Sequence, residues 1–190
     1  MFEIKNDSII DDYIVNSKHT TNCSSKEFQV PEECNCWRVD FTKLILSKQE
    51  MKKQIYVSSK VKFAPVWKKF RSEGYPIVGS WLDEADKTNT DMTKLWGKNI
   101  EESSSCGVLV YFAESKDNSV SNGGLVEVGS ALSNQIPVIW AGPKHPSVWK
   151  HKLIQHIDNY EGLDAELEIQ IALDRAIDIL KITKIRNFIT

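Results

Sequence analysis

The chain has 190 residues, of which 41% are hydrophobic and 26% are charged, and its formal net charge is −2. These proportions are ordinary for a globular protein, and a chain of this length can bury a sizeable core without disulfides or metals. The small negative charge argues against binding nucleic acid through bulk electrostatics, and no apolar run approaches the roughly 20 residues that span a bilayer.

Residues 1–52 contain no glycine and show no clear hydrophobic period. We interpret them as an N-terminal extension without an assigned role, and residues 53–190 as the main domain. The opening stretch is mixed and acidic, unlike a signal peptide, so we expect a cytoplasmic protein with reduced thiols. The three cysteines and one histidine of this region follow no standard zinc-ligand spacing. We therefore expect ordinary thiols, no metal and no cofactor.

From about residue 53 the sequence alternates between apolar strands and amphipathic helices. Strands are predicted at 54–59, 75–81, 106–112 and 136–142, with a possible fifth, edge strand at 152–157. Helices are predicted at about 62–73, 91–101, 125–134 and 165–180. This alternation predicts an α/β fold with a parallel sheet of about five strands and right-handed crossovers.

The second of these helices shows apolar residues at helical spacing. Met92, Leu95, Trp96 and Ile100 mark one face, and the predicted N-cap is Thr90 or Asp91. We therefore expect Trp96 to pack in the interior, as we expect of Trp67 in the preceding helix. The polar stretch between the second strand and this helix is interpreted as a long loop.

Three polar loops follow strands of the predicted sheet: Ser58–Lys60, Ser80–Asp91 and Ala113–Gly124. In an open parallel sheet, ligands bind outside the carboxyl ends of the strands, where these loops meet. The third loop ends in Asn122, Gly123 and Gly124 at a helix N-terminus. Glycines there allow a ligand to approach the backbone, and the free N–H groups favour an anion such as phosphate.

Glu127 comes one turn into that helix, within an otherwise apolar segment. A carboxylate in a first turn often only complements the helix dipole, an effect of ~0.3–1 kcal/mol. The neighbouring Leu125, Val126 and Val128 favour the other interpretation, a partly buried carboxylate facing the crevice. Such a carboxylate can act as a nucleophile or as a base.

The stretches IYVSS, VLVYF and GGLVEVGSAL followed by IPVIWAG resemble the nucleoside 2-deoxyribosyltransferase-like superfamily over about residues 53–180. This superfamily includes deoxynucleoside 5′-monophosphate N-glycosidases. The resemblance implies a flavodoxin-like, Rossmann-like sheet of five parallel strands. It also implies that a glutamate, here Glu127, attacks C1′ of the sugar and displaces the base. Water or a second base then resolves the glycosyl ester, and no metal is required.

The resemblance also suggests substrate contacts. Ser121, six residues before the glutamate, resembles the phosphate ligand of the monophosphate glycosidases, although a serine there could equally cap the helix. Tyr56 matches the first-strand aromatic residue that lies near the nucleophile in the family, or it is a core tyrosine. Ser58 and Ser59 could contact phosphate or sugar. Trp81 could stack on the base or pack in the core.

One position departs from the family pattern. The family usually carries an aspartate just before the third strand, which orients the substrate and can protonate the leaving base. Here Ser104–Cys106 occupy that place. Protonation of the leaving group is worth ~10²–10⁴-fold in rate, so its loss would matter. Asp83, Glu84 and Asp117 lie in loops from which another acid could substitute.

Two functional classes follow from these residues. The first is an enzyme: an N-glycosidase of (deoxy)nucleoside 5′-monophosphates, or a related deoxyribosyltransferase that exchanges bases. The second is a protein that binds a nucleotide or nucleoside without turnover, which the missing aspartate favours. Ser121 favours the hydrolase, and Glu127 argues against a simple binder of phosphate. Because family members are commonly dimers or larger, we expect a homo-oligomer. From the net charge and the lack of a long apolar run, we expect it to bind neither nucleic acid nor membrane.

Overall fold

A computed structural model describes residues 49–114, 122–146, 148–157 and 164–186. Residues 1–48, most of the predicted N-terminal extension, lie outside this part of the chain. The described residues form one sheet of five parallel strands in the order β2-β1-β3-β4-β5. The strands are β1 (Ile55–Ser58), β2 (Ile77–Val78), β3 (Val108–Phe112), β4 (Val138–Ala141) and β5 (Ile154–Ile157). The predicted α/β fold with a five-stranded parallel sheet is confirmed, including its edge strand.

The helices that flank the sheet include α1 (Ala64–Ser72), α2 (Ser80–Glu84), α3 (Met92–Ser105), α4 (Asn122–Ser133) and α5 (Ala165–Arg186), and a 3-10 helix (Val61–Phe63) precedes α1. Asp91 is the N-cap of α3, since its carboxylate accepts hydrogen bonds from the backbone N–H groups of Thr93 and Lys94 at 3.1 and 3.2 Å. These bonds satisfy two donors that the first turn of a helix leaves free. No helix within the described ranges is long and apolar enough to cross a membrane.

The second predicted strand is too long. Only Ile77 and Val78 pair with β1, and Ser80–Glu84 form α2 where a strand end and a polar loop were expected. Tertiary contacts fix this helix: Ser80 binds the carboxylate of Glu102, and the indole N–H of Trp81 donates to the Val57 carbonyl at 2.8 Å. Because the partners are distant in sequence, the residues of this helix show no local pattern that would predict it.

The apolar face predicted for α3 is only partly buried. Met92 and Trp96 are 57% and 39% exposed, so the expectation that Trp96 packs in the interior is wrong. The helix buries Asn99 and Ser103 instead, two polar residues further along it. The reason is that the C-terminal half of α3 packs against α4, and this half carries polar side chains. Trp67 is fully buried, as predicted.

The strand order positions the candidate site. The crossover from β1 to β2 runs in one direction along the sheet, and the crossover from β3 to β4 runs in the other. Because crossovers are right-handed, α1 and α4 lie on opposite faces. The carboxyl ends of β1 and β3 therefore form the topological switch point, where open α/β sheets bind ligands. Ser58, the last residue of β1, pairs there with Tyr111 of β3.

Candidate functional site

Glu127 lies in the second turn of α4 and is only 7% exposed, so it does not face solvent. Two hydroxyl groups from β1 donate to its carboxylate. The Tyr56 hydroxyl lies 2.8 Å from Oε1, and the Ser58 hydroxyl lies 2.5 Å from Oε2. Both carboxylate oxygens are thus oriented by side chains of the strand that borders the switch point. A buried carboxylate of this kind is a candidate reactive group.

Gly124 allows α4 to approach the sheet closely enough for these bonds. A Cβ at this position would lie 2.7 Å from Cε2 of Tyr111 and 3.1 Å from Oγ of Ser58. The Cα of Gly124 therefore lies against the sheet. Asn122, the first residue of α4, is exposed, and Gly123 is partly exposed. Ser121, the predicted phosphate ligand, lies outside the described residues.

The environment of Glu127 favours its neutral form. Burial is the largest cause and raises the pKa, and the charge of Glu102 raises it further. Hydrogen bonds from Ser58, Tyr56 and Asn99 lower the pKa, but the net direction is upward. Burial and the nearby Glu127 raise the pKa of Tyr56, so this phenol stays protonated and remains a donor.

Glu102 is a second carboxylate beside this group, and sequence reasoning missed it. The backbone N–H and the hydroxyl of Ser80 donate to its two oxygens at 2.8 and 2.6 Å. Its charge raises the pKa of Tyr56 as well as the pKa of Glu127. Asn99, one turn earlier on α3, was also missed. The one sequence signal for this pair is that Asn99 and Glu102 are three residues apart, because helix positions three apart share a face.

Other predicted residues point elsewhere. The hydroxyl of Ser59 accepts from the indole N–H of Trp67 at 2.8 Å and donates to the Lys60 carbonyl, so it faces α1. Trp81 is buried in α2, where its indole N–H binds the β1 backbone. The hydroxyls of Ser104 and Ser105 both donate to the Glu101 carbonyl of their own helix.

Two of the acidic residues that could replace the family's aspartate form ion pairs. Asp83 pairs with Arg71 at 2.5 Å, and Glu84 pairs with Lys87 at 2.8 Å. Asp117 lies outside the described residues. Cys106 is buried, and burial raises the pKa of its thiol to about 12, so it is a core thiol. Among the residues that the structure describes, no group of three metal-binding side chains could hold an ion.

The site is thus a buried carboxylate with two hydroxyl donors, an amide and a second carboxylate. It can supply an oriented oxygen nucleophile, and a helix N-terminus such as that of α4 favours anions. Comparison with family models, curated proteins and solved structures found no significant match. The function is therefore inferred from the fold, from the geometry around Glu127 and from the resemblance of the motifs.

Proposed function

We propose that this protein is a nucleotide N-glycosidase that cleaves the bond between the base and C1′ of a (deoxy)nucleoside 5′-monophosphate. The supporting observation is the buried Glu127 carboxylate, bound by the hydroxyls of Tyr56 and Ser58 at the switch point of the sheet. Burying a carboxyl group beside a phosphate site is costly, and a protein that only bound phosphate would gain nothing from it.

In the proposed reaction an oxygen of Glu127 attacks C1′ and forms a glycosyl ester. The C1′–N bond breaks, and its electron pair leaves with the base. Water then attacks C1′, which releases the sugar phosphate and restores the carboxylate. The two displacements retain configuration and pass through oxocarbenium-like transition states. Tyr56 holds the carboxylate in position, and Ser58 must release Oε2 if that oxygen attacks.

The leaving base requires a proton, and we assign this role to Glu102. For this role Glu102 must take up a proton when the substrate binds, which it then donates to the base as the C1′–N bond breaks and recovers from the attacking water. Ser80 fixes its position through two hydrogen bonds. The phosphate of the substrate would bind at the N-terminus of α4, near Gly123. Ser121 stays the predicted phosphate ligand of this segment.

Two alternatives share the same site. A deoxyribosyltransferase would use a second base in place of water. A nucleotide-binding protein without turnover is favoured by one observation: the serines that replace the family's aspartate bind the backbone of α3. The raised pKa of Glu127 is compatible with either class, because a catalytic carboxyl and an inert buried one can both be raised.

Base release is the experiment that separates these functions. Wild-type protein, Glu127→Gln and the control Glu101→Gln on exposed α3 surface are incubated with ribo- and deoxyribonucleoside 5′-monophosphates and the matching nucleosides. We expect free base from wild type and from the control, with monophosphates preferred, and none from Glu127→Gln. Base exchange without hydrolysis would support the transferase. Nucleotide binding by calorimetry without any base release would replace the enzyme with the binding protein.

A further inference from the structure

Asn99 has a buried oxygen without a partner, next to the candidate nucleophile. The residue is 8% exposed, and its amide lies close enough to Glu127 to lower the pKa of that carboxyl. Because a carboxylate only accepts hydrogen bonds, the amide nitrogen of Asn99 must face it. The amide oxygen, Oδ1, has no hydrogen-bond partner among the described residues. Buried acceptors are nearly always satisfied, so this oxygen indicates a missing donor.

The hydroxyl groups nearby on the two helices are already engaged. Ser103, one turn further on α3, donates to the Ile100 carbonyl at 3.1 Å. Ser130 of α4 donates to the same carbonyl at 3.5 Å. The hydroxyls of Tyr56 and Ser58 donate to Glu127. These hydroxyls leave Oδ1 open to a donor from a molecule that enters the site.

The proposed reaction indicates which group this donor is. The oxygen and nitrogen of an amide share one carbon atom, so Oδ1 of Asn99 lies in the immediate surroundings of the Glu127 carboxylate. That carboxylate must meet C1′ of the sugar. The substituent on the adjacent carbon, C2′, enters the same space. In ribose this substituent is a hydroxyl donor, and in 2′-deoxyribose it is hydrogen.

We propose that Oδ1 of Asn99 accepts a hydrogen bond from the 2′-hydroxyl group of the substrate, so that the site selects ribonucleotides over 2′-deoxyribonucleotides. This inference rests on the proposed function and specifies the sugar of its substrate. A deoxyribose would leave the buried oxygen unpaired, which is how a hydrogen-bonding site rejects an analogue. Hydrogen bonds to the 2-hydroxyl strengthen in oxocarbenium-like transition states, so the preference is expressed more in kcat than in KM.

The test is the ratio of kcat/KM for matched ribo- and 2′-deoxyribonucleoside 5′-monophosphates of each base. Wild type is expected to favour ribose by about 5- to 150-fold, the cost of leaving a buried acceptor unpaired. Asn99→Leu keeps the approximate volume but removes both amide groups. Loss of the bond to Glu127 slows both sugars equally, whereas loss of Oδ1 slows only the ribonucleotide. The ratio therefore falls towards one in Asn99→Leu.

Ser103→Ala is the matched control, since it changes a buried polar residue one turn along the same helix and should keep the wild-type ratio. A second measurement needs no variant: calorimetry should show that wild type binds ribose 5-phosphate more tightly than 2-deoxyribose 5-phosphate, although by less than the ratio of rates. Equal rates and equal binding for both sugars, or an unchanged ratio in Asn99→Leu, would overturn the inference. If no nucleotide releases its base, the proposed function fails. The calorimetric comparison of the two sugar phosphates then tests the role of Asn99 by itself.

Discussion

Ser58 and Ser59 are neighbours in the sequence, but their side chains serve opposite faces of the sheet. Ser58 donates to Glu127 on the α4 side, and Ser59 accepts from Trp67 on the α1 side. Successive side chains in a strand alternate between faces, which explains the difference. Only Ser58 can therefore act on the carboxylate, although both serines follow the same apolar run.

Ser58→Ala is expected to move the acidic limb of base release to higher pH. The hydroxyl stabilises the ionised form of Glu127, so its loss raises the pKa of that carboxyl further. A hydrogen bond to a charged group is worth about 1.5–3 kcal/mol, or about one to two pKa units. The reaction needs the ionised carboxylate, so activity is lost at a higher pH. The measurement is kcat/KM against pH.

Ser59→Ala is the neighbouring control. It removes the partner of the Trp67 indole and lowers stability, but it leaves the acidic limb where wild type has it. An acidic limb that is the same in Ser58→Ala and in wild type would mean that the Ser58 hydroxyl does not tune the nucleophile.

Glu102→Gln is expected to slow the release of ordinary bases by ~10²–10⁴-fold, the usual contribution of a general acid. A nucleotide whose base already carries a positive charge, such as an N7-methylated purine, needs no proton and should lose little rate. Glu101→Gln, an exposed neighbour on α3, should behave as wild type with both substrates. Equal losses for the charged and the neutral base would contradict the acid role of Glu102 and favour a structural one.

At the scale of elements, the close contact of α4 with β1 and β3 brings Glu127 to the strand hydroxyls. The contact depends on Gly124, whose missing side chain leaves room for Tyr111 and Ser58. Gly129 belongs to the same helix, but a Cβ there would meet nothing within 4 Å. Gly124 and Gly129 thus differ in what surrounds them.

Gly124→Ala should destabilise the protein by about 1–3 kcal/mol, the usual cost of an added carbon in a filled interior. It should also abolish or sharply lower base release, because α4 must move away from Ser58. Gly129→Ala should stabilise by up to about 1 kcal/mol, since alanine is the better helix former. Urea unfolding at pH 7 measures both. A neutral or stabilising effect of Gly124→Ala would mean that α4 can shift without cost.

At the scale of the whole molecule, the sheet and α3 enclose an ionisable group that destabilises the folded state once it is charged. The pKa of Glu127 is raised in the folded protein, so the folded state binds this proton more tightly than the unfolded chain does. The resulting stability is present below the pKa of the unfolded chain, about 4.5, and is lost as pH rises through the folded pKa. Each unit of the shift corresponds to about 1.4 kcal/mol.

Wild type is therefore expected to lose stability relative to Glu127→Gln as pH rises above about 4.5. The glutamine has no proton to lose, so its unfolding free energy lacks this contribution. The measurement is the difference in urea unfolding free energy between the two proteins from pH 4 to 8. A constant difference across this range, or one that changes in the opposite direction, would show that burial does not raise the pKa of Glu127.

From the sequence alone one could predict the parallel α/β fold, an N-cap of α3 at Thr90 or Asp91, and Glu127 as a candidate reactive carboxylate. These depend on local patterns: apolar runs, helical periodicity and an acidic residue within an apolar helix. The sequence could not show that Ser58 rather than Ser59 binds the carboxylate, or that α3 contributes Asn99 and Glu102. The physical reason is that these polar groups are brought together by the packing of α3, α4 and β1, and each alone is typical of a solvated surface.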